Sequence, residues 1–184
     1  YKRQILDFFG TERPQTAWGT LRLVDALLSE KQDTKATKIF IDSWKTLSLT
    51  SDSQSDFLNH EIILTNANHI DRLNNLLWRG DVISAKRILN LFPKSMQKLI
   101  NARIGLQLGS SNVDQLISKV PDLYKNDAGL AYDRFQWRIR KNRWDDAQDL
   151  LIDRTKVSSS LGRPEKWASR RRGFARRAMR ELSL

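Results

Sequence analysis

The sequence predicts an all-α protein, an α-superhelix (solenoid) of short helix–turn–helix pairs with a degenerate tetratricopeptide-like character. Three observations predict it. Leu, Ala, Lys, Arg and Gln are abundant, while the 184 residues hold 8 Gly and 4 Pro, a composition of helices rather than of strands and turns. Apolar residues recur at helical spacing, and no Val/Ile/Thr-rich alternating run stands out. Three segments also align without gaps: Leu27 to Phe40, Leu76 to Leu89 and Arg138 to Leu151. Each places an Ala at the same position (Ala36, Ala85, Ala147) and closes on an apolar pair (Ile39-Phe40, Ile88-Leu89, Leu150-Leu151). Ala lets paired helices approach closely, and the pair fills the seam with the next unit. The spacing between copies is irregular, so the array is degenerate, and such arrays present extended concave surfaces. One domain over 1–184 is expected.

In order, Lys2 to Phe9 reads as a short helix with Ile5, Leu6, Phe8 and Phe9 apolar, stopped at Gly10. Pro14 is expected to start the next, with Trp18, Leu21, Val24, Ala26, Leu27 and Leu28 on its buried face. Ser29 to Asp33 is a polar break before a helix with Ala36, Ile39, Phe40, Trp44 and Leu47 inside. Ser48 to Ser55 reads as a loop and Asp56 to Leu64 as a fourth helix. Asn66 to Trp78 follows with Ile70, Leu73, Leu76 and Leu77 on one side. Gly80-Asp81 turns the chain into Val82 to Phe92. Pro93 breaks that helix and opens Lys94 to Leu108, stopped by Gly109. Val113 to Val120 ends at Pro121; Ala128 to Lys141 and Trp144 to Ile152 come next, then a Ser158-Ser159-Ser160 linker. About eleven short helices result.

The chain leads to an Arg-rich closing helix within 162–182. Pro164 suits the first helical position, and Glu165 in the first turn complements the helix dipole. Trp167, Phe174, Ala175, Ala178, Met179 and Leu182 form its apolar face, so it docks through Trp167 and Phe174. Arg170, Arg171, Arg172, Arg176, Arg177 and Arg180 cover most of the rest. Such a face is either a solvated surface or a meeting place for carboxylates or phosphates, which the planar guanidinium fork fits. Trp18, Trp44 and Trp78 are expected to pack. Trp137, Trp144 and Trp167 lie among Arg and Asp; they read first as core residues, while any that is exposed can stack on a sugar or a base, and Trp144 joins the six arginines as a candidate binding residue.

The formal net charge of +11 favours polyanions without choosing among nucleic acid, anionic lipid and acidic wall polymer. The absence of Cys excludes a disulfide scaffold, a thiolate zinc site and a Cys nucleophile. No apolar run reaches the length of a membrane span. His60 and His69 have no HExxH spacing and read as structural or surface residues. Neither GxGxxG nor GxxxxGK[ST] occurs. Asp145-Asp146 begins a helix, where acids offset the dipole. Neither a catalytic residue nor a metal or other cofactor is expected.

Four stretches occur in order: HIDRLNNLLWRGDVISAKRIL (His69 to Leu89), NARIGLQL (Asn101 to Leu108), DAGLAYDRFQWRIRKNRWDDAQDLLI (Asp127 to Ile152) and LGRPEKWASRRRGFARRAMRE (Leu161 to Glu181). Together they resemble the α-superhelical region of soluble lytic murein transglycosylases, particularly the alphaproteobacterial type. RIRKNRWDDA followed by P-E-x-W-x-x-R-R carries most of the specificity, and the resemblance is weakest over about 1–55. It implies a periplasmic enzyme whose array of short helices precedes a C-terminal lysozyme-like domain. That domain cleaves the MurNAc–GlcNAc bond of peptidoglycan to a 1,6-anhydro end, using one Glu as acid and then base. The family's catalytic Glu is followed by Ser. Here Glu12, Glu30, Glu61, Glu165 and Glu181 precede Arg, Lys, Ile, Lys and Leu, and Ser183-Leu184 replaces the family's Gly-Asp continuation. The resemblance therefore implies a superhelical scaffold, inactive alone, that holds glycan strands or acidic stem peptides beside a catalytic domain beyond Leu184. Two other readings stay open: a stand-alone helical scaffold for a protein partner, and a basic nucleic-acid-binding array.

Overall fold

The computed structural model describes residues 2–182, with the side chains of Ser158, Glu181 and Leu182 left aside; Tyr1, Ser183 and Leu184 lie outside the described residues. Among those residues the chain is all-helical, with eleven α-helices and no strand. It divides into two compact units between Leu91 and Phe92.

The first unit holds α1 (Lys2–Phe9), α2 (Ala17–Ser29), α3 (Asp33–Thr46), α4 (Ser51–Leu58), α5 (Asn66–Arg79) and α6 (Val82–Arg87), then a 3-10 turn at Leu89–Leu91. Val24, Leu27, Ala36, Phe40, Trp44, Phe57, Leu73 and Leu76 form its buried interior. Phe40 stacks on Phe57 at 4.7 Å between ring centroids, and His69 meets Trp44 edge-on at 5.5 Å. His60 is structural: its ring lies against Phe40, its Nδ1 accepts from the Ile62 N–H at 3.1 Å, and its Nε2 faces Asp25 at 3.4 Å.

The second unit holds α7 (Lys94–Leu108), α8 (Val113–Ser118), α9 (Ala128–Arg140), α10 (Trp144–Thr155) and α11 (Pro164–Leu182), with 3-10 turns at Asp122–Tyr124 and Ser158–Leu161. Leu99, Ala102, Leu106, Val113, Val120 and Leu130 form one buried cluster; Phe135, Ile139, Ala147, Leu151, Trp167 and Phe174 form another. Between α7 and α9 lies a buried ion pair, Arg103 Nε donating to Asp133 at 2.7 Å, with Gln107 donating to the other carboxylate oxygen at 2.9 Å. Gly129 makes room for it, because a Cβ there would stand 2.2 Å from the Arg103 guanidinium carbon.

The three aligned segments fold alike. Each is a helix end, a tight turn and a helix start: α2 to α3, α5 to α6, α9 to α10. The fifth residue of each, Lys31, Gly80 or Asn142, is left-handed, with φ of 58°, 81° and 58°. The following N–H reaches back to the first carbonyl of the segment at 2.9 Å in all three (Gln32 to Leu27, Asp81 to Leu76, Arg143 to Arg138). This is the Schellman closure, which satisfies carbonyls that a helix end leaves orphaned. Ala36, Ala85 and Ala147 then begin the next helical ladder, and all three are fully buried.

Several expectations are corrected. The second helix starts at Ala17, because Thr16 is the cap and accepts from the Gly19 N–H at 3.1 Å, while Pro14 is buried in the preceding loop. Trp18 is 65% exposed rather than packed: α2 buries Gly19, Thr20 and Leu23, and Phe9 occupies the space above Gly19. The fourth helix is Ser51–Leu58, not Asp56 to Leu64, because Thr50 caps it by accepting from Ser53 N–H at 3.2 Å. Val82 to Phe92 is broken into α6 and a 3-10 turn, and the helix from Val113 ends at Ser118. The serine linker lies in a 3-10 turn. Phe8, Ile70, Leu108 and Met179 are exposed, as is Ala175.

The left-handed turn residues lead to a prediction. A non-glycine residue in that conformation costs about 1 kcal/mol, so Lys31→Gly raises stability by up to that amount. Gly80→Ala, where an added Cβ meets nothing within 4 Å, lowers it by about 1 kcal/mol through backbone strain alone. Urea unfolding at equilibrium measures both. Asp133 supplies another. Burial outweighs the pull of Arg103 and raises its carboxyl to about 6. Because the folded pKa lies above the unfolded one, the folded state holds the extra proton, and the Asp133 contribution falls as pH rises from about 4 to about 6. The stability of the wild type relative to Asp133→Asn should decline across that window and level off above it; a flat difference would contradict the raised pKa.

Candidate functional site

Charge is divided unequally along the chain. Residues 1–91 carry twelve Lys and Arg against eleven Asp and Glu, whereas residues 92–184 carry twenty against ten. Nearly the whole surplus therefore belongs to the second unit, and much of it to α11.

Helix α11 is held by Trp167. Its indole is fully buried, stacks on Phe135 at 4.8 Å, meets Tyr132 edge-on at 5.3 Å, and donates from Nε1 to the Leu161 carbonyl at 3.0 Å. Phe174, two turns on, is buried against the same Phe135. These two aromatics set the rotation of the helix and send its arginines outward. Arg170, Arg171, Arg172, Arg176 and Arg180 are exposed and Arg177 is half-buried.

Trp144 begins α10 and is 38% exposed, with its ring edge-on to Phe174 at 6.1 Å. Trp144, Ser169, Arg170, Phe174, Arg176 and Arg177 surround a surface groove of about 250 Å³ floored by Gly173. The structure thus brings four of the seven sequence-predicted residues together: Trp144, Arg170, Arg176 and Arg177. Arg180 follows Arg176 by one helical turn and extends the same face. Arg172, one turn before Arg176, borders this face without lining the groove, and Arg171 points away from it by helical spacing. No acidic side chain lines the groove. A partly exposed indole beside three guanidinium groups suits a flat or ring-shaped ligand that carries negative charge.

Two contributors were missed by sequence reasoning. Ser169 gave no signal. Gly173 did: a glycine inside an Arg-rich helix forgoes helix propensity and needs a reason. Here a Cβ at Gly173 would meet nothing within 4 Å, so packing does not demand the glycine, and what its bare backbone leaves is the open floor of the groove.

The other tryptophans differ. Trp44 is fully buried, Trp78 half-buried, and Trp137 half-buried with the Arg143 guanidinium 5.8 Å from its ring centroid. Asp145 and Asp146 occupy the first turn of α10, and Asp146 accepts from Arg143 Nε at 2.6 Å. Among the described residues no group of three His, Cys, Asp or Glu is placed to hold a metal ion, and no helix is long and apolar enough to cross a membrane.

No protein family, curated protein or solved structure matches this chain.

The open floor separates folding from binding in one position. Gly173→Ala should stabilise the protein by about 1 kcal/mol through helix propensity. Gly173→Phe should leave thermal unfolding close to wild type while filling the groove, and so abolish any binding that uses Trp144. Thermal unfolding and Trp-fluorescence titration with an anionic ligand check the two halves.

Proposed function

We propose that this chain is the helical scaffold of a soluble lytic murein transglycosylase, its helix pairs stacked into a superhelix, and that it acts in the periplasm. It holds peptidoglycan strands or their acidic stem peptides for a separate lysozyme-like domain that forms the 1,6-anhydro product. The single observation that carries the binding role is the groove of α11, where Trp144 and three arginines meet with no acid between them. The indole offers a face for a sugar ring, and the guanidinium groups offer forks for carboxylates. The motif series from His69 to Glu181 supports the choice of peptidoglycan. The catalytic carboxylate belongs to the separate domain, since no Glu here stands before Ser.

A second reading draws on the same groove, because indole and guanidinium groups also suit a base and its phosphate. The two are separable. Purified peptidoglycan should sediment this chain at low ionic strength and release it as salt rises, and Arg170→Glu/Arg176→Glu should weaken retention at least tenfold. Failure to sediment at low salt removes the glycan-holding role, and a mobility shift with single-stranded oligonucleotide in its place would favour nucleic acid. Incubation with peptidoglycan should release no anhydromuropeptides by mass spectrometry; their release would mean that one of the glutamates is catalytic.

A further inference from the structure

A second cavity lies in the first unit, far along the sequence from the Arg-rich helix. It is a groove of about 380 Å³ between the Gly10–Gln15 loop and α3, within the size range of small-ligand sites. Its α3 wall uses Lys35, Lys38, Ile39, Asp42, Ser43 and Thr46, with Leu47 just past the helix end, one face that extends over about 18 Å at 1.5 Å per residue. Leu23 of α2 and Pro14 of the loop complete the apolar lining, and both are buried. Ser43 supplies a hydroxyl paired with Thr20 at 3.2 Å.

The two ends of the α3 face differ chemically. Lys35 and Lys38 stand toward its start, and Leu47 lies just past its end. Arg13 adds a third cation from the loop, and its side chain is mostly exposed. Asp42 is the neighbouring acid: Lys38 binds it at 3.0 Å, and Arg13 lies 3.8 Å away. One carboxylate thus serves two cations, while Lys35 has no ion-pair partner among the described residues. Glu12 is the other acid in the lining, so three cations face two acids.

We propose that this groove is a binding site for a small, elongated amphipathic carboxylate. Its anionic head lies at Lys35, Lys38 and Arg13, and its apolar chain runs along Ile39 and Leu23 toward Leu47. The apolar stretch from Pro14, Leu23 and Ile39 to Leu47 takes a chain, and the cationic end takes the head. This site is independent of the peptidoglycan reading, since it shares no residue with the groove of α11.

Decanoate is the probe, titrated below its micelle concentration into the full chain. Calorimetry gives affinity, and two-dimensional NMR of the backbone and methyl groups gives location. One molecule should bind, with shifts at Leu23, Ile39 and Leu47. Decanol and decyltrimethylammonium should bind at least tenfold more weakly. Lys35→Ala/Lys38→Ala, both exposed, should weaken decanoate at least fivefold with unchanged thermal unfolding, and Ile39→Trp should block the trough. Equal binding of the neutral and cationic chains overturns the proposal. So do shifts confined to α11, which would mean ion pairing with its arginines, or the absence of saturable binding.

Discussion

Arg72 is the residue on which the first unit depends. Its side chain is fully buried, with the guanidinium carbon 4.4 Å from the Trp44 ring centroid, and Nη1 donates to the Trp44 and Leu47 carbonyls. Asn75 donates to the Lys45 carbonyl at 3.3 Å and Arg79 to that of Thr46 at 3.0 Å. Four successive carbonyls at the end of α3 thus receive donors from α5. A helix C-terminus leaves such carbonyls without partners and carries partial negative charge, so a cation there meets both needs. Burial, and repulsion from Arg79 and Arg87, lower the Arg72 pKa to about 10, and it remains charged at neutral pH. Removing the guanidinium would strand the carbonyls, and removing Trp44 would uncover the charge. The attachment of α3 to α5, across the intervening α4, is therefore specified by polar groups as much as by apolar area.

The second unit uses related chemistry between α7 and α9. Arg140 donates to the Leu106 carbonyl at 2.6 Å, near the end of α7, while Arg103 is matched by Asp133. Arg138 donates to the Asp146 carbonyl at 2.7 Å, and Arg154 to that of Asn126 at 3.2 Å. Arginine in this protein thus has two uses. Inside, it completes backbone hydrogen bonding and fixes which helices are neighbours. Outside, on α11, it forms a charged surface. An inventory of basic residues assigns all of them to the second use. What separates the two is whether a carbonyl or carboxylate waits at the end of the side chain.

Legibility followed the range of the forces involved. The Schellman turns at Lys31, Gly80 and Asn142 were legible as aligned segments, because the closure and the buried Ala after it are made within fourteen residues. The docking of α11 through Trp167 and Phe174 was legible because two large aromatics two turns apart leave few other faces to bury. Helical spacing puts Trp18 on the inner face, but α2 turns Gly19, Thr20 and Leu23 inward, with Phe9 of another helix packed at Gly19. The fourth helix was misplaced because Thr50, read as loop, acts as a cap. The Arg103–Asp133 pair had no sequence signal at a separation of 30 residues, although Gly129 beside it has no other role in the turn chemistry.

By itself, then, the sequence determined the all-helical class, the helix–turn–helix repeat, the Arg-rich face and the burial of Trp167 and Phe174, since these rest on periodicity and on contacts near in sequence. Only the tertiary structure decided that the chain forms two compact units, that Arg72 and Arg103 are interior, and that Trp144 shares a groove with Arg170, Arg176 and Arg177 over the open backbone of Gly173. Those outcomes turn on which distant side chain reaches a given carbonyl, carboxylate or ring first, and helical spacing alone carries no record of that competition.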